Sequence, residues 1–256
     1  MLKMELIDAH AHLNAEAFDD DLPAVLAAAE SAGVRAILAV SETVADAQLN
    51  LELAGRFPII RPCAGLHPTV VDLEAAEVMV ELIRANRDGL AAIGEVGLDY
   101  WIVQEPERQE IQRQILGRLI GLSNELELPL NVHSRSAGRH TIAFLREHGA
   151  KRVLPHAFDG KASAAMIGVE LGYYFSIPPS IVRSVQKQKL VRHLPLDRLL
   201  LESDAPVLGP EPTARNEPKN IRLACEAIAQ IKALPLADVA RVTTENARRL
   251  FPRAFC

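Results

Sequence analysis

Short apolar segments alternate with longer amphipathic segments along the whole chain. Eight of the short segments have the length and composition of strands, and they span residues 4–12, 34–41, 59–67, 89–95, 129–133, 152–156, 173–177 and 198–204. Most are nearly continuous apolar runs, which is typical of parallel strands buried on both faces. The pattern therefore predicts a parallel sheet covered by helices.

The longer segments repeat apolar residues at three- and four-residue spacing, as helices packed on a sheet do. The clearest of them cover residues 20–33, 43–57, 73–88 and 107–127. No linker or low-complexity tract divides residues 1–256, so we expect one domain. Eight strand–helix units in a chain of this length favour a TIM (β/α)8 barrel of the metallo-dependent hydrolase type over an open doubly wound sheet.

Composition narrows the class of protein. The chain has 256 residues, a formal net charge of −5 and a sequence pI of about 5.9, which counts against broad coating of nucleic acid. Cys63, Cys225 and Cys256 lack C-x-x-C spacing, as in proteins of a reducing compartment. With no signal peptide and no apolar run that could span a membrane, we expect a monomeric cytoplasmic protein, or a nuclear one if the source is eukaryotic.

Polar residues cluster at the carboxyl ends of the predicted strands. They are His10, His12, Ser41, Glu42, His67, Glu95, His133, His156, Ser176 and Asp204. In a parallel barrel all these ends open on one face, where barrel active sites lie. The remaining histidines are expected on the surface: His140, His148 and His193.

The segment DAHAH predicts a metal site. Asp8, His10 and His12 share one face of a strand, and two adjacent imidazoles are a natural pair of metal ligands. An isolated pair is equally consistent with hydrogen-bonded core histidines, but further ligands reach the same rim and favour the metal. The six predicted ligands are His10, His12, Glu95, His133, His156 and Asp204.

Six ligands are more than the roughly four that one tetrahedral ion binds. They suit two divalent ions ~3.5–4 Å apart that share a carboxylate. We predict that Glu95 is this bridge and that Gly94 and Gly97 free it to lean between the ions, since no lysine stands at a strand end to be carbamylated. Zn²⁺ is the expected metal, with Mg²⁺, Mn²⁺ or Ni²⁺ as alternatives.

The charge of such a centre constrains the substrate. Two divalent ions bring about +4, Glu95 and Asp204 return about −2, and a bridging hydroxide leaves about +1. This charge attracts an anion, and a phosphodiester fits. Amide and ester hydrolases use similar centres, so the charge alone leaves the reaction open.

Six motifs carry a family resemblance: DAHAHL (8–13), GLHP (65–68), IGEVGLDY (93–100), PLNVHSR (129–135), HAFDG (156–160) and ESDAP (202–206). In this order they resemble the motifs of the TatD-like metal-dependent deoxyribonucleases across nearly the whole chain. The resemblance implies a TIM barrel, two or three divalent ions and hydrolysis of DNA phosphodiesters. By position, His10, His12, Glu95 and Asp204 match the first metal site of the family, whereas Glu95, His133 and His156 match the second.

The chain departs from the family pattern at three positions. Ala157 and Asp159 replace a common cysteine and a common threonine or serine, and Ser203 replaces a threonine. None of them is a predicted ligand. The added charge of Asp159 counts against tight binding of long polyanions.

Three carboxylates are the predicted catalytic residues: Asp204, Glu95 and Glu202. Asp204 would accept a proton as well as bind metal. Glu202 shares its strand face, where it would hydrogen-bond a ligand histidine or meet the substrate, with a purely structural role as the alternative. His67 and Arg135 are predicted to contact phosphate, the alternatives being a loop cap and a solvated arginine.

Further residues near the strand ends have open roles. Asp8 and Asn131 are predicted to support ligands, and Asp99 to bind a metal or to orient a neighbour. Trp101 either stacks on a base or packs against the next helix.

The segment RNEP adds two residues whose roles are also open. Asn216 is a candidate helix N-cap ahead of Pro218, and Arg215 could reach the barrel mouth.

The sequence thus predicts a two-metal hydrolase of phosphodiesters, a deoxyribonuclease acting as an exonuclease on single-stranded DNA. The enzymatic alternative is an ester or amide hydrolase, such as an aminoacyl-tRNA deacylase. The non-enzymatic alternative is a nucleic-acid-binding protein with a vestigial site, which the complete ligand set counts against.

Overall fold

The computed structural model describes residues 4–255, so Cys256 and the first three residues of the predicted leaderless N-terminus lie outside the described residues. Each of its eight strands overlaps one of the predicted segments. They are β1 (Leu6–Ala11), β2 (Val34–Ala39), β3 (Ile60–Ala64), β4 (Ala92–Gly97), β5 (Leu130–His133), β6 (Val153–Pro155), β7 (Phe175–Ile177) and β8 (Leu199–Leu201).

Helices separate the strands, with a further pair after β8. They are α1 (Leu22–Ser31), α2 (Val44–Arg56), α3 (Leu73–Ala85), α4 (Pro106–Leu126), α5 (Gly138–Glu147), α6 (Ala162–Glu170), α7 (Val185–His193), α8 (Ile221–Lys232) and α9 (Leu236–Leu250). Local hydrogen bonds fix the residue at which several helices begin. At α2, Thr43 and Asp46 exchange side-chain and backbone hydrogen bonds in a capping box.

The strands form a parallel barrel. Strands β1 to β6 pair in sequence order, and β7 pairs with β8. The Tyr174 amide donates to the Val153 carbonyl at 3.0 Å and links the segment entering β7 to β6. Beyond β8, the Asp204 amide donates to the His10 carbonyl at 2.9 Å, which closes the ring onto β1. The predicted (β/α)8 barrel is therefore confirmed.

Burial explains the apolar strand pattern. Strands β1, β4, β6, β7 and β8 contain no residue that is even partly exposed. Polar residues inside such strands, namely Asp8, His10 and Glu95, are thus held away from bulk water. By contrast, the three histidines assigned to helices are exposed, as predicted.

Within residues 4–255, no helix is both long enough and apolar enough to cross a bilayer. Cys63 and Cys225 are buried free thiols. That residues 1–256 act as one domain stays a prediction.

Candidate active site

The carboxyl ends of the strands surround a cavity of about 520 Å³. Seven of the ten residues predicted at the strand ends line it, together with Arg135, and they are His12, Glu42, His67, Glu95, His133, His156 and Asp204. His10 is fully buried behind this wall. The topology therefore brings the predicted ligands together in one place.

Four donor atoms form the first group at the cavity floor. The Nε2 atoms of His10 and His12 lie 3.2 Å apart. Glu95 Oε2 lies 3.5 Å from His10 and 3.3 Å from His12, and Asp204 Oδ1 lies 3.4 Å and 3.5 Å from the same two nitrogens. We call these atoms the four-donor group.

The spacing within the four-donor group fits a metal ion. Ligands about 2.0–2.1 Å from a tetrahedral centre are separated by about 3.3–3.4 Å. The five measured distances run from 3.2 to 3.5 Å. Two imidazole nitrogens with two carboxylate oxygens are also a donor set that zinc accepts.

The other oxygen of Glu95 belongs to a second group. Glu95 Oε1 lies 2.6 Å from His133 Nδ1 and 2.8 Å from His156 Nε2, and these two nitrogens are 3.4 Å apart. We call these atoms the three-donor group. Glu95 thus directs one oxygen to each group, as a bridging carboxylate would, and the two contacts of its Oε1 are hydrogen-bond lengths.

The glycines around Glu95 also have a role in strand packing. A Cβ on Gly94 would lie 2.6 Å from the Cβ of Asn131, and a Cβ on Gly65 would lie 2.5 Å from the Gly94 carbonyl carbon. A Cβ on Gly97 would overlap the His133 backbone. These glycines allow neighbouring strands to approach closely, a role that the sequence did not show, and the leaning of Glu95 between two ions stays a prediction.

Hydrogen bonds orient His10 at the base of the site. Asn131 Oδ1 lies 2.9 Å from His10 Nδ1, while its amide donates to the Ala9 carbonyl. An Nδ1–H donated to Asn131 leaves His10 Nε2 unprotonated for a metal. Asp8 accepts from the Ser203 amide at 2.7 Å and joins β1 to the segment after β8. Burial raises the pKa of Asp8 to about 7.

Asp99 orients His133 and does not enter the donor groups. Its Oδ2 lies 3.0 Å from His133 Nε2, so Nδ1 of the same ring faces Glu95. Its Oδ1 accepts from the Trp101 and Ile102 amides. Burial opposes ionisation, but the bonds from His133 and the Ile102 amide lower the pKa of Asp99. Of the two predicted roles, the orienting one fits.

Glu202 lies behind His156 and is fully buried. It accepts from the Ala157 amide at 2.8 Å and from the Ser176 hydroxyl at 2.6 Å. Its Oε2 lies 3.7 Å from His156 Nδ1. Burial raises the pKa of Glu202 to about 7. Among the described residues His156 Nδ1 has no hydrogen-bond partner, so Glu202 lies beside His156 without bonding it, and its catalytic role stays a prediction.

His67 presents a hydrogen-bond donor to the cavity. Its Nδ1 accepts from the Thr69 amide at 3.3 Å, which leaves the proton on Nε2. That Nε2 lies 3.7 Å from Glu95 Oε1. Burial lowers the pKa of His67, so the ring is neutral at pH 7. A neutral ring with a protonated Nε2 suits contact with a phosphate oxygen better than metal ligation.

Arg135 and Trp101 form a pair at the rim. The guanidinium carbon lies 5.3 Å from the centre of the indole ring, and Trp101 remains 57% exposed. The alternative in which Trp101 packs against the next helix is therefore wrong. Both side chains are exposed at the rim, where a nucleic-acid strand that enters the cavity would meet them.

Two predicted candidates lie elsewhere. Arg215 pairs with Asp21 at 2.7 Å and covers the Phe18 ring, so it does not reach the predicted metal ligands. Asn216 is buried and donates to the Ser203 and Val207 carbonyls. It braces the loop after β8, and the N-cap prediction is wrong because its side chain bonds carbonyls instead of helix amides.

Sequence reasoning missed Lys187. This residue of α7 is buried, lines the cavity and donates from Nζ to the Ala157 carbonyl at 2.9 Å. Burial lowers its pKa. The signal was present, because Lys187 precedes the buried Leu190 and Val191 by three and four residues and so falls on the apolar face of α7.

The carboxylates and histidines of the two donor groups shift one another's pKa values. Burial opposes the charged form of Glu95, but the imidazoles of His156, His10 and His12 around it hold its pKa well below its usual range. Burial lowers the pKa of His156 to about 4. Burial also opposes the charged form of His133, yet Asp99 and Glu95 raise its pKa to about 9. Glu95 is thus an ionised carboxylate among nitrogen donors, as a bridging ligand must be.

Comparisons with known proteins agree with this site. Residues 7–252 match the model of a family described as TatD related DNase. The chain is 49% identical to human deoxyribonuclease TATDN3 over 97% of this chain and 95% of that relative. It is 33% identical to the metal-dependent hydrolase YabD of Bacillus subtilis over 96% and 98% of the two chains.

A solved structure matches the whole fold. The TatD homologue YjjV of Escherichia coli superposes with a TM-score of 0.89 and 26% identity, covering 98% of this chain and 99% of that one. The similarity therefore extends over the barrel and all the strand ends that carry the donor groups.

Proposed function

The chain belongs to the TatD-related DNase family, and on that premise we propose that it is an exonuclease that hydrolyses the phosphodiester bonds of single-stranded DNA with two divalent ions. The observation that carries the proposal is the position of Glu95, whose two oxygens face two separate groups of donors. A phosphodiester hydrolase that works with a pair of ions needs such a bridge.

The donor chemistry supports two ions of the zinc type. His10, His12, Glu95 and Asp204 would hold the first ion, whereas Glu95, His133 and His156 would hold the second. Two bound ions would supply charge stabilisation at the phosphate and a water of lowered pKa. Nitrogen donors favour Zn²⁺, with Ni²⁺, Mn²⁺ and Mg²⁺ as the alternatives.

The side chains of the cavity have distinct tasks in this reaction. His67 donates its Nε2–H to a non-bridging phosphate oxygen, and Arg135 holds the strand by its charge. Asp204 would hold an ion through Oδ1, and its second oxygen would accept a proton from water. Glu202 supports His156 from behind.

The rim supports a single strand as substrate. Trp101 offers an exposed indole beside Arg135, a pairing of aromatic and cation that suits an unpaired base and its phosphate. A cavity of about 520 Å³ with a buried floor suits the end of a strand. We further propose that the protein acts as a monomer in the cytoplasm, or in the nucleus of a eukaryotic cell.

One experiment tests this function. The metal-free protein is reloaded with each of the four metals and incubated with linear single-stranded DNA labelled at either end, with circular single-stranded DNA and with aminoacylated tRNA. We expect stepwise shortening of the linear DNA and no change in the circular DNA. Cleavage of the circle would contradict the exonuclease, and deacylation of tRNA with intact DNA would contradict the nuclease.

A further inference from the structure

The cavity wall contains a lysine that the reaction described above does not use. Lys187 enters from α7 and lines the cavity together with His156 and Asp204. The residue is only 7% exposed, whereas Lys189 on the same helix is exposed. A buried ammonium beside a proposed metal centre calls for a physical reason.

The hydrogen bonds of Lys187 leave capacity for a ligand. An ammonium carries three donors, and Nζ uses one of them on the Ala157 carbonyl at 2.9 Å. Among residues 4–255, no carboxylate oxygen comes within ion-pair distance of Nζ. Burying such a charge is costly unless a partner compensates it. An anionic group inside the cavity would be that partner.

The charges around Lys187 leave room for an anionic partner inside the cavity. Burial opposes the charged form of Lys187, as does Arg183, whereas Glu202, Asp204 and Asp159 favour it from beyond ion-pair distance. The other cation of the cavity wall, Arg135, is exposed at the rim after β5, whereas Lys187 lies deep on the side of β7. The two cations therefore enter the cavity at different depths, Lys187 from helix α7 and Arg135 from the loop after β5.

We propose that Lys187 binds a non-bridging oxygen of the phosphate that is hydrolysed. The inference rests on the proposed function, because it assigns a residue to the same reaction. Because Lys187 lies deep in the cavity, it reaches the phosphate that is hydrolysed and not the neighbouring phosphates of the DNA strand. Arg135, at the rim, contacts the part of the DNA strand that lies outside the cavity.

A purely structural role makes a different prediction. Ala157 has a φ of +39°, and its amide bonds Glu202 while its carbonyl bonds Lys187. Lys187 could therefore serve only to hold this residue, and through it the neighbouring His156. In that case loss of the ammonium would lower metal content together with activity.

The test compares Lys187→Met with Lys189→Met, which removes an exposed charge from the same helix. Metal content, thermal unfolding and kcat/KM are measured for each, with single-stranded DNA and with bis(4-nitrophenyl) phosphate, a diester that has one phosphate and no base. We expect Lys187→Met to lower kcat/KM about 10- to 100-fold on both substrates at full metal content. Lys189→Met should match the wild type, and Lys187→Arg should recover part of the loss.

Binding of inorganic phosphate to the metal-loaded protein, followed by calorimetry, supplies a readout that needs no turnover. We expect about 10-fold weaker binding by Lys187→Met. Loss of metal with activity, a loss confined to DNA, or unchanged phosphate binding would each overturn the proposal. If the wild type leaves DNA intact, the nuclease proposal fails, while phosphate binding still decides the role of Lys187.

Discussion

The four-donor group and the three-donor group share Glu95 but differ in how far the chain completes them. In the first, four side-chain donors meet, and the five measured separations are 3.2 to 3.5 Å. In the second, three chain donors meet, and the remaining positions face the cavity. A closed group suits tight retention of an ion, whereas an open one leaves room for water and substrate.

The two groups also differ in what orients them. His10 of the first group is fixed by the neutral amide of Asn131, whereas His133 of the second is fixed by the carboxylate of Asp99. A carboxylate raises the basicity of the imidazole that it holds. The open group therefore compensates for its missing donor with stronger electron donation to one of its ligands.

The largest expected effect comes from removing the shared residue. Glu95→Ala takes one donor from each group, so both ions should be lost while circular dichroism stays that of the folded barrel. We expect activity to fall at least about 10³-fold, the scale of several kcal/mol of charge stabilisation. Metal content per chain, measured by mass spectrometry, checks the prediction.

A control for Glu95→Ala is Glu52→Ala, which removes an exposed carboxylate of α2 outside the cavity. This variant should keep its metal. A Glu95→Ala protein with full metal content and near-normal turnover would mean that Glu95 bridges nothing.

The orienting residues separate the two groups. Asp99→Asn should weaken the second ion about 10- to 100-fold and leave the first unchanged, and Asn131→Ala should do the reverse. Competition with a chromophoric chelator measures both affinities. Equal losses of both ions in both variants would contradict the assignment of one orienting residue to each group.

Glu202→Gln should have a smaller effect, confined to the open group. The amide keeps an oxygen for the Ala157 amide but removes the charge facing His156. We expect most metal to stay and hydrolysis to slow about 10-fold. Unchanged kinetics would reduce Glu202 to a structural residue.

Trp101→Ala should have the smallest effect, since the ring contacts no donor atom. It should weaken binding of single-stranded DNA several-fold, the loss of one stacked base of about 1–3 kcal/mol at most. Hydrolysis of bis(4-nitrophenyl) phosphate should be spared. Equal losses on both substrates would indicate a packing defect instead.

The sequence predicted the donor groups because strand ends converge in a parallel barrel. His10, His133 and His156 could be placed from apolar runs that stop at a polar residue, with no knowledge of side-chain geometry. The division of the Glu95 oxygens between the groups could also be expected, since the ligands were too many for one ion.

Other features depend on packing between segments that are distant in the sequence, so the sequence alone did not predict them. The glycines beside Glu95 are required by the backbones of neighbouring strands, which a linear sequence does not show. Asn216 binds carbonyls of a loop whose path was unknown. Lys187 was the exception, because its helical spacing marked it as buried, yet its charge made a surface position the natural expectation.

The most direct test of the bridged centre is a crystal structure of the protein loaded with zinc, with anomalous differences recorded at the metal edge over graded concentrations. We predict two peaks, each bonded to a different oxygen of Glu95, with the peak at His10 and His12 filling at the lower concentration. A single peak at saturation, or two peaks of which only one contacts Glu95, would contradict the bridging role.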